Sequence, residues 1–172
     1  MSRVAVTEVE QSQESDKQVV RCLLLPQKNT TLLLPNTAVA EVTDYTPPET
    51  TQHSPDWLLG ILSWRGRNIP LIAFENLFGE PSVQEKPRQV AVLNNMSGNP
   101  DLPFIAITIS SIPRLIHVDN SSVDYIEGDA GEDKDEESGH EAILARMNVA
   151  GEFVVLPNIE FIEDRVIQLG IQ

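Results

Sequence analysis

The sequence predicts a mainly β fold, built as small barrels or a sandwich and closed by a single C-terminal helix. Three observations carry that prediction. Apolar residues come in short runs of about five to eight, bounded by Pro, Gly or Asn, which is the length and punctuation of strands. Prolines number 12 while aromatics are only 5% of the chain, so the backbone turns often around an aliphatic core. Only one stretch, near the C-terminus, combines helical spacing with helical ends. The 172 residues suffice for one domain, or for two very small units that share a core.

The elements follow in order. Residues 1 to 16 set Glu8, Glu10, Glu14 and Asp16 among Ser and Gln and hold too little apolar surface to order themselves, so a flexible tail is expected. The tail has no long apolar core, and neither a secretory signal nor a membrane anchor is expected. "QVVRCLLLP" and "TTLLLP" read as strands joined through "PQKNTT". Cys22 lies in the first of them, where a small buried thiol is the ordinary reading and a reactive one the alternative. "TAVAEVT" is a β-branched strand, "PDWL" a short helical turn, and "LLGILSWRG" and "NIPLIAF" are the arms of a hairpin.

A short helix is expected at "FENLFG". "RQVAVLNNM", "PFIAITIS" and "RLIHVD" read as further strands, and "EAILARMNVAGEFVVLP" as two strands turning through Gly151, which takes positive φ at little cost. "NIEFIEDRVIQLG" is the helix. Asn158 caps it, Glu160, Glu163 and Asp164 lie toward its positive end, and Gly170 stops it. Ile159, Ile162, Val166 and Leu169 share one face. No internal repeat is visible in the residues themselves.

The formal net charge is -14 and the pI about 4.4, so the body repels phosphate backbones and anionic membranes. Neither a nucleic-acid partner nor direct membrane insertion is expected, no run of about 18 apolar residues exists, and the expected address is the cytoplasm. Glu127 to Glu141 holds eight acids and one Lys, half of the whole net charge. Such crowding of like charges among glycines reads as a mobile loop, and its spacing does not meet that of a calcium-binding EF-hand.

The common catalytic constellations do not occur. No serine sits in a G-x-S-x-G elbow, no glycine-rich phosphate cradle exists, and His53, His117 and His140 lie in three unrelated settings without ligand spacing. No catalytic residue, metal site or cofactor is expected, which moves weight toward recognition by surface. An enzyme or small-ligand barrel would need a deep pocket with convergent polar groups.

"GILSWRGRNIPLIAFENLFG" then becomes the informative stretch. Alternation puts Ile61, Ser63 and Arg65 on one face and Leu62 with Trp64 on the other, so Trp64 is expected in the core. Gly66 permits a tight turn between Arg65 and Arg67, and both guanidinium groups project from the tip. A solvated turn is the plain alternative. Beside it, Ile61 and the upstream "TAVAEVT" leave an apolar strip, and such a strip with arginine at its margin has the composition of a protein interface.

These residues resemble the signature of the CheW-like domain, the adaptor module of bacterial chemosensory arrays. In that family a strand ends in Arg-Gly and the next carries a proline before a short helix, matched here by Gly60, Arg65, Gly66 and Pro70. Val39, Glu41 and Val42 resemble its apolar-x-acid-apolar segment. The likeness runs from about Lys17 to Gln172, which makes residues 17–172 the expected domain. It implies two packed five-stranded SH3-like β-barrels and no catalytic activity.

The resemblance also implies partners, the regulatory domain of a CheA-type histidine kinase and the cytoplasmic tip of a methyl-accepting chemoreceptor, and recruitment to membrane-associated receptor arrays. Val39, Glu41 and Val42 would line the receptor-facing or kinase-facing groove and Gly60 would hold the strand close. Arg65 would be the coupling residue, with Ile61, Gly66 and Arg67 around it. Trp64 departs from the family, which usually has an aliphatic residue there. So does the acidic run, an unusual insertion, and a member serving pilus-driven surface motility fits these departures. An interaction module of this fold outside chemosensing is the remaining alternative.

Overall fold

The computed structural model describes residues 18–78, 86–126 and 141–171. The expected flexible tail and nearly all of the expected acidic loop lie outside those residues. The strands are β1 (Val20–Pro26), β2 (Thr31–Pro35), β3 (Val39–Asp44), β4 (Leu58–Trp64), β5 (Arg67–Ile72), β6 (Gln89–Asn94), β7 (Phe104–Ile109), β8 (Arg114–Val118), β9 (Val123–Tyr125), β10 (Ile143–Val149) and β11 (Glu152–Pro157). One α-helix, α1 (Ile159–Gln168), follows them.

Two sheets form, as expected of a mainly β chain. One has six strands in the order β8-β1-β2-β11-β10-β9, and the other five in the order β3-β6-β7-β5-β4. The first curls on itself. Its outermost strands bring Ile116, Val118 and Val123 into one cluster with Cys22, Leu24, Leu33, Met147, Val149 and Val154. The second does the same around Leu62, Ile69, Leu71, Val90, Val92 and Ala106, with Tyr45, Trp64 and Phe104 at its margin.

Alternation along each strand then sends the other face into a shared core. In β1, Cys22 and Leu24 point into the first barrel while Leu25 packs in the layer between barrels, with Leu32, Leu34, Leu93, Ile105 and Ile107. Trp57, Phe74, Ile159, Ile162 and Val166 complete that layer.

The barrels are two copies of one plan, a repeat that the residues do not display. β4 and β5 correspond to β10 and β11 at one constant spacing in the chain. Each pair is bulged near its start, at Leu58/Gly60 and Ile143/Ala145, and turns through two residues of positive φ, Arg65-Gly66 and Ala150-Gly151. Two positive φ values define the turn type that suits strand twist. Each second strand leads to a helical segment by the same hydrogen bond, from Ala73 N to Trp57 O and from Asn158 N to Ala142 O, both 2.8 Å.

The hairpins β1–β2 and β6–β7 also correspond, but each lies in the sheet of the other copy, joined by parallel pairing of β2 with β11 and of β7 with β5. Neither barrel closes without residues from both halves, so the chain forms one unit. What the copies share is mainly inward and outward placement, with few identical residues besides the turn glycines Gly66 and Gly151.

Local expectations mostly hold. Asn158 Oδ1 accepts from Phe161 N at 3.2 Å, and Gly170 ends the helix at φ 69°. A 3-10 turn spans Phe74–Phe78. "PDWL" forms a turn rather than a helix, because Leu58 N bonds Pro55 O and Leu58 already enters β4. Leu169 is exposed at the helix end, and Glu163, one of the three acids toward the helix start, is fully buried.

Cys22 is buried, and loss of water around it pushes the thiol above its ordinary range. The folded value exceeds the unfolded one, so this contribution to stability is fully present at neutral pH and is lost as pH rises through the raised value. A thiol reagent is expected to leave Cys22 unmodified in the folded protein at pH 7.5 and to modify it within minutes in denaturant. Equal rates in both would place the thiol at the surface.

Candidate functional site

The β4–β5 hairpin puts its turn at one end of the second barrel. Trp64 pairs with Arg67 as the last cross-strand couple, so Arg65 and Gly66 alone make the turn. Arg65 has φ 47°, a region that residues with a Cβ seldom occupy, and Gly66 has φ 72° with open space around it. The Arg65 side chain is 69% exposed.

β3 and β4 are the two outer strands of the sheet and are not paired with each other. Side chains bridge them. Glu41 Oε2 accepts from Trp64 Nε1 at 2.6 Å and lies 3.2 Å from Arg65 Nε, so one carboxylate oxygen on β3 holds two groups from the end of β4. Arg65 stands over the Trp64 ring at 5.2 Å, and Trp64 meets Phe104 edge-on, with centroids 5.0 Å apart. Arg67 lies over Phe104 at 5.7 Å. Two guanidinium groups thus rest on two touching aromatic rings.

An exposed ion pair of this kind contributes at most about 1 kcal/mol to folding. Its effect is on direction. With Glu41 occupied by Arg65 Nε, the terminal nitrogens of Arg65 are left to solvent, and among the described residues no carboxylate is paired with Arg67. On a body of net charge -14 the tip is a positive point.

The predicted site residues divide into three groups. Glu41, Arg65, Gly66 and Arg67 come together at the tip. Val39 and Val42 are half-buried and pack toward the shared core, on either side of a bulge that leaves Ala40 outward. Gly60 and Ile61 lie one strand length from the turn, where Glu49 N and O both bond Ile61 at 2.8 Å. Gly60 has φ 143°, and a Cβ there would lie 2.2 Å from Glu49 O. The backbone of β4 therefore passes Glu49 at a distance that only glycine allows.

Trp64 differs from its expected place, being half-buried at the barrel mouth rather than enclosed. Phe104 was not singled out at all, since "PFIAITIS" reads as an ordinary strand and nothing local marks its first residue as the neighbour of a distant turn. Among the described residues no three His, Cys, Asp or Glu side chains gather as a metal site would require. No helix of these residues is long and apolar enough to cross a membrane.

The other barrel repeats the bridge with its charges exchanged. Glu41 stands opposite Val92, and Arg114 stands opposite Leu24, the matching place in the corresponding hairpin. Arg114 Nη2 reaches Glu152 Oε2 at 2.5 Å, across to the residue just after the Ala150-Gly151 turn. Acid on the edge strand and base at the tip in one barrel become base on the edge strand and acid at the tip in the other.

A family model described as the CheW-like domain matches residues 21–162. The fold is similar to that of the scaffolding protein TtCheW from Thermoanaerobacter tengcongensis, with a TM-score of 0.66 and 14% identity, over 84% of this chain and 92% of that one. Among curated proteins no sequence matches. With the family model spanning both barrels and the start of the helix, the chain belongs to the CheW-like domain family, whose members are non-enzymatic scaffolding proteins.

Proposed function

We propose that this chain is a chemosensory adaptor that joins the cytoplasmic tip of a chemoreceptor to the regulatory domain of a CheA-type histidine kinase, in a chemotaxis or pilus-motility pathway. Family membership supports a scaffold role in chemotaxis signalling. The observation that carries the finer reading is the Glu41-held Arg65 at an exposed turn. It is a preset cationic point on an acidic protein, suited to a partner's carboxylates or carbonyls. Trp64 and Phe104, half-buried beneath the two guanidinium groups, supply apolar margin beside it.

The test is titration of the purified kinase regulatory domain and of a receptor-tip fragment with wild type and Arg65→Glu. Affinity for at least one partner is expected to fall by about 1 to 3 kcal/mol, the loss typical of an interface anchor. Unchanged affinity for both would remove Arg65 from the interface.

A further inference from the structure

We infer that Trp64 is a positioning residue for the docking tip: its indole N–H and ring fix Glu41 and Arg65 in one arrangement before any partner arrives. The inference deepens the docking reading of the tip and rests on it.

The molecule contains its own comparison. The turn Ala150-Gly151 is built on the same plan as Arg65-Gly66, with both residues at positive φ and a bulge at the same place behind it. There the residue before the turn is Val149, 3% exposed, packed with aliphatic neighbours. The strand that corresponds to β7 begins with Thr31 rather than Phe104. Phe153 and Tyr125, the aromatic residues of that end, are exposed and outside its cluster, so a hairpin of this shape closes its barrel with no aromatic side chain packed at the turn, and neither the turn nor the closure explains why Trp64 and Phe104 are present.

What separates the two ends is the company of the guanidinium groups. At the Ala150-Gly151 end, Arg114 reaches its carboxylate directly, with no ring beneath it among the described contacts. At the Arg65-Gly66 end the same Glu41 oxygen takes the indole N–H at 2.6 Å and Arg65 Nε at 3.2 Å. The indole donates the shorter bond. It holds the carboxylate at a place Arg65 can reach while its ring supports the guanidinium from below, and Phe104 buttresses the indole and carries Arg67. A long, exposed side chain at a turn ordinarily samples many rotamers, and binding must then order it. Here that ordering is built into the free protein.

The test starts without a partner. Proton exchange with water at the Arg65 Nε–H is measured by NMR in wild type, Trp64→Phe, which keeps a ring and loses the N–H, and Trp64→Val, which copies the other hairpin. Exchange is expected to speed up about tenfold in Trp64→Val and about threefold in Trp64→Phe, each with a folded backbone amide spectrum. If Trp64→Val fails to fold, Trp64→Phe carries the test. The same rate in wild type and in whichever variant folds overturns the inference.

The kinase regulatory domain is then titrated with the same proteins. About tenfold weaker binding by Trp64→Val, with Arg65 intact, supports the link from position to docking. Faster exchange with unchanged affinity would leave the positioning of Arg65 standing and would count against the docking reading of the tip instead.

Discussion

Gly60→Ala is expected to destabilise the fold by about 3 kcal/mol, the largest effect of an added methyl group at any described glycine. The added Cβ would lie 2.2 Å from Glu49 O and 2.8 Å from Glu49 C, distances that no packing tolerates. Glu49 has nowhere to go, because its N–H and carbonyl both bond Ile61 at 2.8 Å. Alanine must therefore break that two-bond bridge or bend β4, and it must do so at φ 143°. In a chain of this length the loss corresponds to a fall in Tm of about 10 °C. Gly66→Ala is the control. It sits at φ 72° with nothing within 4 Å and should cost about 1 kcal/mol. Equal melting temperatures for the two variants would show that the Glu49 bridge does not constrain β4.

Glu163→Ala is the second large effect. The carboxylate is fully buried, and its two oxygens accept from Met96 N at 2.9 Å and Ser97 N at 2.8 Å, tying α1 to the loop between β6 and β7. Bonds to a charged acceptor are about twice as strong as neutral ones, and truncation leaves two donors without a partner. The expected loss is about 3 kcal/mol. Glu163→Gln keeps one acceptor oxygen in place and should lose about half of that. Denaturant unfolding measures the stabilities, and amide exchange at Met96 and Ser97 should rise in step. A change below about 0.5 kcal/mol in Glu163→Ala would mean the loop finds other acceptors.

These two residues also mark what can be read in the residues alone. Asn158, Gly151 and Gly170 were legible as a cap, a turn and a stop, because each signal acts within a few residues of itself, whereas Gly60 stood out only through the family resemblance, its neighbour Glu49 lying eleven residues away. The lengths of the apolar runs likewise give the strands. The burial of Glu163 was not legible, because its partners, Met96 and Ser97, lie far away in sequence and nothing local sets it apart from Glu160 and Asp164.

Alternation alone puts Trp64 in the core for a related reason. Alternation gives the correct face of β4, but not that the strand ends at the mouth of a barrel, where Glu41 and Phe104 arrive from other strands. The duplication was hidden because the halves share the order of inward and outward positions and only a scatter of identical residues, such as Gly66 and Gly151. Leu24 answers to Val92 and Arg114 to Glu41, pairs that no comparison of letters would connect. The short strand β9 escaped notice because three residues carry no periodicity.

Arg65 at the β4–β5 turn is proposed as the docking point for a chemosensory partner. The most direct measurement is a capture experiment from lysate with purified wild type and Arg65→Glu side by side, followed by identification of the retained proteins. The account predicts that wild type retains a histidine kinase or a chemoreceptor and that Arg65→Glu, equally well folded, does not. Retention of the same kinase or receptor by both proteins, or by neither, would contradict it.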